Sequence, residues 1–75
     1  MELVMEYRAV LAYYMEKRDI SMAELARKAN CPKSSINEIM KGRAKEPTLS
    51  RAKAIADALE VSLDEMARMM FESNN

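Results

Sequence analysis

Residues 21–41 read SMAELARKANCPKSSINEIMK, and this stretch decides the fold of the chain. It opens with a capping box, which predicts that the Ser21 hydroxyl accepts a hydrogen bond from the third amide of a helix while the side chain of Glu24 reaches back to the helix start. The Asn-Cys-Pro segment favours first a helix end, because Asn tolerates left-handed backbone, and then a new helix start at Pro. The stretch therefore predicts two short helices, 21–29 and 33–41, whose brief connection sets them at a steep angle.

Apolar residues recur at helical spacing on both sides of this pair. They predict a first helix over 2–18, a fourth over 48–59 and a fifth over 62–71. The side chains at core spacing in the fourth helix are Leu49, Ala52, Ile55, Ala56 and Leu59. One Gly and two Pro leave few turns for an all-β fold. The sequence predicts an all-α, compact five-helix bundle, a single domain over 1–75 with a frayed end at 72–75.

The composition excludes several classes of function. The chain has no His, so it cannot build a His-based catalytic triad or a set of His metal ligands. Its single cysteine, Cys31, cannot form an intrachain disulfide or a multi-Cys zinc site, which favours a reducing compartment. Charges at Glu2, Glu6 and Arg8 interrupt the N-terminal apolar run and argue against a membrane span. We therefore expect a cytoplasmic protein that is not an enzyme, with no cofactor and no metal.

Charge is distributed unevenly along a chain whose formal net charge is zero. Residues 17–53 contain ten basic and four acidic side chains, whereas the segments on either side are acidic. A basic surface in the middle of a small domain favours a polyanionic partner such as DNA. A basic face is often only a solvated face, so binding of DNA also requires a suitable arrangement of individual side chains.

The second helix of the pair presents hydrogen-bonding side chains outward when Ile36 and Ile39 face the core. Small and polar groups near a helix start allow the helix to enter the major groove and contact base edges. The polar connection after this helix carries Arg43 and Lys45, which are placed to bind phosphates. The outward side chains are Lys33, Ser34, Ser35, Asn37, Glu38 and Lys41.

Five segments of the chain together resemble one known family. They are AELARKA at 23–29, SSINEI at 34–39, KGR at 41–43, EPT at 46–48 and IADALEVSLDE at 55–65. Over about residues 8–67 the chain is similar to the Cro/C1-type helix-turn-helix family, which comprises xenobiotic-response-element-like regulators and lambda-repressor-like domains. The resemblance implies a five-helix domain that binds double-stranded operator DNA as a homodimer and regulates transcription, usually as a repressor.

The resemblance also implies roles for individual residues. Positions that read bases in the family are occupied here by Lys33, Ser34, Ser35 and Glu38, and Asn37, which lies beside them, is assigned to base reading as well. Positions that contact the DNA backbone are occupied by Ser21, Met22, Lys41, Arg43 and Lys45. The chain departs from the family pattern at four positions: Met22 replaces a Gln, Asn30 and Glu60 replace glycines, and Pro32 replaces a Ser or Thr cap.

Two surfaces are candidates for a dimer contact. Met69, Met70 and Phe71 add apolar surface after the core pattern is complete, and they serve either a dimer or simple packing of that end. Leu63 and Met66 are further candidates for the same contact, although core filling is the better interpretation of Met66. The C-terminal candidates are thus Leu63, Met66, Met69, Met70 and Phe71. The first helix offers Leu3, Val4 and Tyr7 as the other surface.

The alternative function is a protein-interaction module, such as the antitoxin half of a toxin–antitoxin pair. In that case a partner protein takes the place of DNA. The acidic Glu38 on the outward face, the apolar Met22 and the zero net charge favour this alternative.

Overall fold

The protein is described by a computed structural model that covers residues 2–44 and 46–72. Within these residues the chain forms five α-helices and two very short β-strands. The helices are α1 (Tyr7–Lys17), α2 (Met22–Lys28), α3 (Lys33–Met40), α4 (Leu49–Ala58) and α5 (Leu63–Met70), and the strands are β1 (Glu2–Leu3) and β2 (Phe71–Glu72). The predicted all-α, five-helix architecture is confirmed. Among the described residues, no helix has both the length and the hydropathy to cross a membrane.

The N-terminal segment differs from the helix predicted over 2–18. Helix α1 begins only at Tyr7, and β1 pairs antiparallel with β2, so that Leu3 lies opposite Phe71. The amide of Val4 continues this pairing by donating to the carbonyl of Met70 at 2.7 Å. Helical spacing in the sequence could not reveal this pairing, because its partner lies at the other end of the chain. The strand also includes Glu72, which we expected to be frayed, while 73–75 lie outside the described residues.

Three helices begin with a side-chain cap. The hydroxyl groups of Ser21, Thr48 and Ser62 each accept a hydrogen bond from the amide three residues later, at 3.2, 3.3 and 2.9 Å. Each cap satisfies one of the amides that a helix start leaves without a partner. The starts predicted for α2, α4 and α5 are confirmed.

The first four helices end in the same way. Asp19, Asn30, Gly42 and Glu60 all have positive φ angles, between 53° and 79°. In each case the amide that follows donates back to a carbonyl in the last turn of the helix, for example Cys31 to Ala26 at 2.9 Å. This is the Schellman arrangement, which closes a helix and reverses the chain. It explains how connections of only a few residues join all five helices.

The core lies where all five helices meet. Its largest fully buried side chains are Val10, Leu11, Leu25, Ile36, Ile55, Leu59 and Met66. The fourth helix contributes Ala52, Ile55, Ala56 and Leu59 as predicted, but Leu49 is 75% exposed, so its assignment to the core is wrong. Leu49 is the first residue of α4, and the chain there enters from the exposed loop. A side chain in the first turn of a helix can fit the apolar spacing of that helix and still lie outside the core.

Two core tyrosines make stability depend on alkaline pH. Burial raises the pKa of Tyr7 from 10.0 to about 12. Burial also raises the pKa of Tyr14 to about 12, with further contributions from its hydrogen bond to Glu65 and from the charge of that carboxylate. Because the folded state holds both protons more tightly than the unfolded chain does, their contribution is complete below pH 10 and is lost as pH rises to 12.

We therefore expect the free energy of unfolding to fall steeply between pH 10 and pH 12. Urea denaturation followed by circular dichroism at intervals across this range measures it. Tyr7→Phe removes one of the two titrating groups, so its stability should fall less steeply than that of the parent protein. An identical pH dependence in Tyr7→Phe would contradict the assignment of Tyr7.

Candidate nucleic-acid interface

Helix α3 turns one face into the core and the opposite face outward. Ile36 and Ile39 are 0% and 3% exposed. Lys33 and Ser34 are exposed, and Ser35, Asn37 and Glu38 are half-buried on the outward side. The structure thus brings the five residues predicted to read bases onto one helix that is accessible from outside, with polar groups concentrated in its first turns.

The connection before α3 fixes the position of this face. Asn30 adopts a φ of 55°, and Pro32, with extended backbone, precedes the first residue of α3. Helix α2 packs directly against α3, and α1 supports α3 from a second side. The outward face of α3 is therefore held by packing on two sides and not by surface contacts alone.

Most basic side chains of the protein are already paired. Ion pairs join Arg8 to Glu6, Arg27 and Lys28 to Glu24, Arg43 to Glu38, Lys53 to Asp57 and Arg68 to Asp64, at 2.6 to 4.0 Å. Arg18 donates to the carbonyls of Leu59 and Glu60, and Lys17 lies over the ring of Tyr13. Among the described side chains, the basic groups without any such partner are Lys33, Lys41 and Arg51. Two of these three flank α3, so cations free to bind phosphate are concentrated at its two ends.

Glu38 and Arg43 form an ion pair at the end of α3. Arg43 Nη1 lies 3.2 Å from Glu38 Oε2, and both side chains are more than 40% exposed. The pair forms because the left-handed Gly42 reverses the chain and brings Arg43 back over the last turn, where its amide donates to the carbonyl of Glu38 at 2.9 Å. Arg43 thus neutralises the Glu38 carboxylate, the acidic group on the outward face of α3.

The remaining backbone-contact candidates lie in different surroundings. Ser21 is exposed, and its hydroxyl oxygen caps α2 while the hydroxyl proton stays free to donate. Met22 is half-buried and packs against the core, so its side chain contributes to the fold of α2. Lys41 and Arg43 are exposed beyond α3, and Lys45 lies outside the described residues.

The C-terminal dimer candidates divide into two groups. Met66 and Met70 are 1% and 6% exposed within the core of the single chain, so their side chains are not available to a second copy. Leu63, Met69 and Phe71 are half-buried and keep part of their surface outside. Simple packing thus accounts for Met66 and Met70, and the candidate dimer surface is reduced to the other three residues.

The β1–β2 pairing brings together one residue from each of the two surfaces considered for a dimer. Leu3 lies opposite Phe71, and Leu3 and Val4 are 55% and 59% exposed. By contrast, Tyr7, which was grouped with them, is 5% exposed and belongs to the core. One residue of the N-terminal candidate surface, Leu3, is therefore a direct neighbour of one residue of the C-terminal candidate surface, Phe71.

Sequence reasoning did not identify Arg8 as a neighbour of α3. A Cβ atom placed on Gly42 would lie 2.6 Å from Arg8 Nη1, so the guanidinium group of α1 lies directly against this glycine. The contact joins residues 34 positions apart, and no local pattern signals it. A substitution at Gly42 would disturb both the left-handed backbone and the side chain of Arg8.

Comparisons with known proteins agree with the five-helix fold. The model of the helix-turn-helix family HTH_3 matches residues 11–66, more than half of the chain. The chain belongs to this family. Its Cro/C1-type resemblance is thereby confirmed, and membership supports a DNA-binding transcription regulator, a class without enzymatic activity.

A solved structure shows the same fold for this helix-turn-helix protein. The N-terminal DNA binding domain of SinR from Bacillus subtilis superposes with a TM-score of 0.77 at 22% sequence identity, covering 92% of this chain and 96% of that domain. A search of curated protein sequences gave no match.

Proposed function

We propose that this helix-turn-helix domain binds operator DNA as a homodimer, inserts α3 into the major groove and represses transcription in the cytoplasm. The observation that carries the proposal is the orientation of α3, whose Ile36 and Ile39 are buried while its polar residues face outward. A recognition helix needs this division, because base edges are read by hydrogen-bonding groups and a helix needs a rigid support behind it. The DNA-binding domain of SinR, which has this fold, supports DNA as the ligand.

The distribution of unpaired cations supports the same docking. Lys33 at the start of α3 and Lys41 just beyond its end keep their charges free, while most other basic groups are neutralised by nearby carboxylates. Lys41, assigned to the DNA backbone, is placed to bind a phosphate beside the inserted helix, and Lys33, assigned to base reading, brings a second positive charge into the groove. Such charged contacts fix the register of the helix on the duplex and contribute to the affinity. Ser34 and Asn37 then contribute sequence preference.

A homodimer is supported by the exposed apolar side chains of Leu3 and Val4 and by the half-buried Phe71, which is paired with Leu3. Two copies that meet through one self-complementary surface place two α3 helices on the same side of the DNA. In such a complex the half-sites are centred about 10 base pairs apart, or a multiple of this distance. Selection of bound oligonucleotides from random DNA returns the half-site and the spacing together, and a single unrepeated half-site would contradict the dimer.

Base-reading and backbone-contacting residues should respond differently to substitution. Ser34→Ala and Asn37→Ala remove groups assigned to base edges, so they should change the preference among operator variants by about 1–3 kcal/mol at the affected base pair. Arg43→Ala removes a phosphate contact and should weaken binding to all sequences alike. Fluorescence anisotropy with the selected operator and single-base variants measures both effects. The proposed roles would be refuted if Arg43→Ala changed the preference among sequences while Ser34→Ala and Asn37→Ala weakened binding to all sequences alike.

The Glu38–Arg43 pair provides an internal control for this test. Loss of Arg43 also leaves the Glu38 carboxylate without its partner beside the DNA phosphates, so Arg43→Ala carries a second, repulsive cost. In a Glu38→Gln background this cost is absent, and Arg43→Ala should weaken binding less. A double-mutant cycle separates the phosphate contact from the neutralising role.

A protein-interaction module of the antitoxin type is the second candidate function. The exposed Leu3 and Val4 favour it, because an apolar surface can equally receive a different protein. Gel shifts at two salt concentrations discriminate between the two functions. A saturable, salt-sensitive complex with DNA supports the regulator. If no tested DNA forms such a complex, the result supports the interaction module.

A further inference from the structure

Two arginines at opposite ends of α1, Arg8 and Arg18, each reach the end of another helix. Arg18 donates from Nε and Nη2 to the carbonyls of Leu59 and Glu60, at 2.9 and 3.3 Å, where α4 ends. Nη1 of Arg8 lies 2.6 Å from the position that a Cβ atom on Gly42 would occupy, just beyond the end of α3. Helix α1 thus places one guanidinium group against the end of α3 and another against the end of α4.

Helices α3 and α4 have no positive charge of their own in the last turn. Basic residues occupy the last turn of α1, α2 and α5, whereas none of residues 37–40 and 55–58 is basic. The next basic residue after α3, Lys41, follows this last turn and is exposed. The C-terminal end of a helix carries partial negative charge, which a nearby cation stabilises. Arg8 therefore adds a positive charge from α1 to the end of α3, as Arg18 does at the end of α4.

Gly42 differs from the residues at the three other helix ends that have positive φ angles. Asp19, Asn30 and Glu60 also adopt left-handed backbone, with φ between 53° and 60°, and all three carry a side chain. Left-handed backbone alone therefore does not require a glycine in this fold. At Gly42 the place of a Cβ atom is taken by the Arg8 guanidinium group, with Nη1 at 2.6 Å and Cζ at 3.3 Å. The missing side chain lets Arg8 lie directly against the backbone of this turn.

The turn at Gly42 sets the direction of two residues that are proposed to bind DNA phosphates. Lys41 precedes Gly42 and Arg43 follows it, and both are exposed. The amides of Arg43 and Ala44 close the turn, because both donate to the carbonyl of Glu38, at 2.9 and 3.2 Å. These bonds lead back to α3 itself, so the contact from α1 is a second and separate support of the turn.

We infer that Arg8 is a positioning residue for DNA binding: it holds the turn at Gly42 and thereby keeps Lys41 and Arg43 directed toward the phosphates. The cause is the contact between Arg8 and Gly42, and the consequence for DNA rests on the proposed function. Arg8 Nε lies 3.6 Å from the Glu6 carboxylate, and its charge acts on the turn and not on the DNA.

Hydrogen exchange in the absence of DNA tests whether Arg8 holds the turn. In Arg8→Ala the amides of Arg43 and Ala44 should exchange about two- to fivefold faster than in the parent protein, the effect of one cation at a helix end. Unchanged rates at these two amides, or an equal acceleration of all amides, would overturn the inference.

Arg18→Ala is the matched control, since it removes the corresponding contact at the other end of α1. The amides of Glu60 and Val61, which close the turn after α4, should then exchange faster, whereas the turn after α3 should be affected less. Because these samples contain no DNA, the result stands even if the protein binds no operator, and the failure of the inference is distinguished from the failure of the proposed function.

Two single variants should weaken operator binding for the same reason. Arg8→Ala removes the guanidinium group, and Gly42→Asn displaces it, because the new Cβ atom takes its place. Asn tolerates left-handed backbone, as Asn30 shows after α2. Since the phosphate contacts are misplaced but not removed, each variant should lose about three- to tenfold in affinity, less than for loss of a whole charge-assisted contact. Gly42→Asn leaves the net charge unchanged, so its loss cannot result from a weaker general attraction.

Combined variants distinguish positioning from other roles, in anisotropy titrations at a temperature where circular dichroism shows every variant to be folded. Arg8→Ala/Gly42→Asn should bind no more weakly than the weaker single variant, because both changes remove the same contact. In a Lys41→Gln/Arg43→Gln background, Arg8→Ala should cause no further loss, because the side chains that it positions are gone. Multiplied losses in the first combination would overturn the inference. A persisting loss in the second would also overturn it, because Arg8 would then contact the DNA itself.

Discussion

Replacing both Lys33 and Lys41 with Gln should lower operator affinity by about 100-fold or more at moderate salt. Each lysine is free of carboxylate partners among the described side chains, and each charge-assisted contact with DNA is worth about 1.5–3 kcal/mol. The slope of log affinity against log salt concentration should decrease by about 1 for every phosphate contact removed. Anisotropy titrations at four salt concentrations measure the affinity and the slope in the same experiment.

A matched control separates local contacts from overall charge. The double variant Lys53→Gln/Arg68→Gln also removes two positive charges, but these belong to groups paired with Asp57 at 2.6 Å and Asp64 at 3.0 Å. Its affinity should stay within a few-fold of the parent value. Equal losses in the two double variants would mean that DNA is attracted by net charge alone, and the assignment of Lys33 and Lys41 would then be wrong.

The local features of the fold could be predicted because their causes lie within a few residues. The caps at Ser21 and Ser62 depend on a hydroxyl three residues before an amide, and the end of α2 depends on the backbone tolerance of Asn30. The outward face of α3 follows from the spacing of Ile36 and Ile39. In each case the residues involved are only a few positions apart, so the local sequence contains all of them.

Features that depend on distant partners could not be predicted in the same way. The strand at Glu2–Leu3 exists because Phe71–Glu72 offers it backbone partners, and only the folded chain brings the two ends together. The Glu38–Arg43 pair depends on the direction in which the chain leaves α3, and the position of Arg8 depends on the packing of α1 against it. The strand pairing and the position of Arg8 are long-range contacts, whereas Glu38 and Arg43 are only five residues apart and meet through the chain reversal at Gly42.

The burial of Ile36 links the stability of the domain to its proposed binding face. Ile36 is fully buried between two outward residues, Ser35 and Asn37, so a single helix turn serves the core and the candidate DNA contact at once. Its support comes from Leu25 and the other side chains of the same core. A loss of packing here is expected to affect both properties together.

Ile36→Ala should therefore destabilise the protein by about 2–5 kcal/mol, because it removes buried methyl groups and leaves a cavity in a closely packed core. Folded domains are stable by only about 5–15 kcal/mol, and a chain of this length lies toward the lower end. We expect a large decrease in the midpoint of urea denaturation and a loss of operator binding as the folded fraction falls with temperature. Circular dichroism and anisotropy on the same samples measure the two changes.

Ser35→Ala is the neighbouring control, since its half-buried side chain lies on the outward face and its loss should change stability by no more than about 0.5 kcal/mol. At temperatures where both variants are folded, Ile36→Ala should bind DNA with nearly the parent affinity. If Ser35→Ala proved the more destabilising of the two, α3 would present its apolar face outward. Ser34 and Asn37 would then face the interior, and α3 could not read bases in the way proposed.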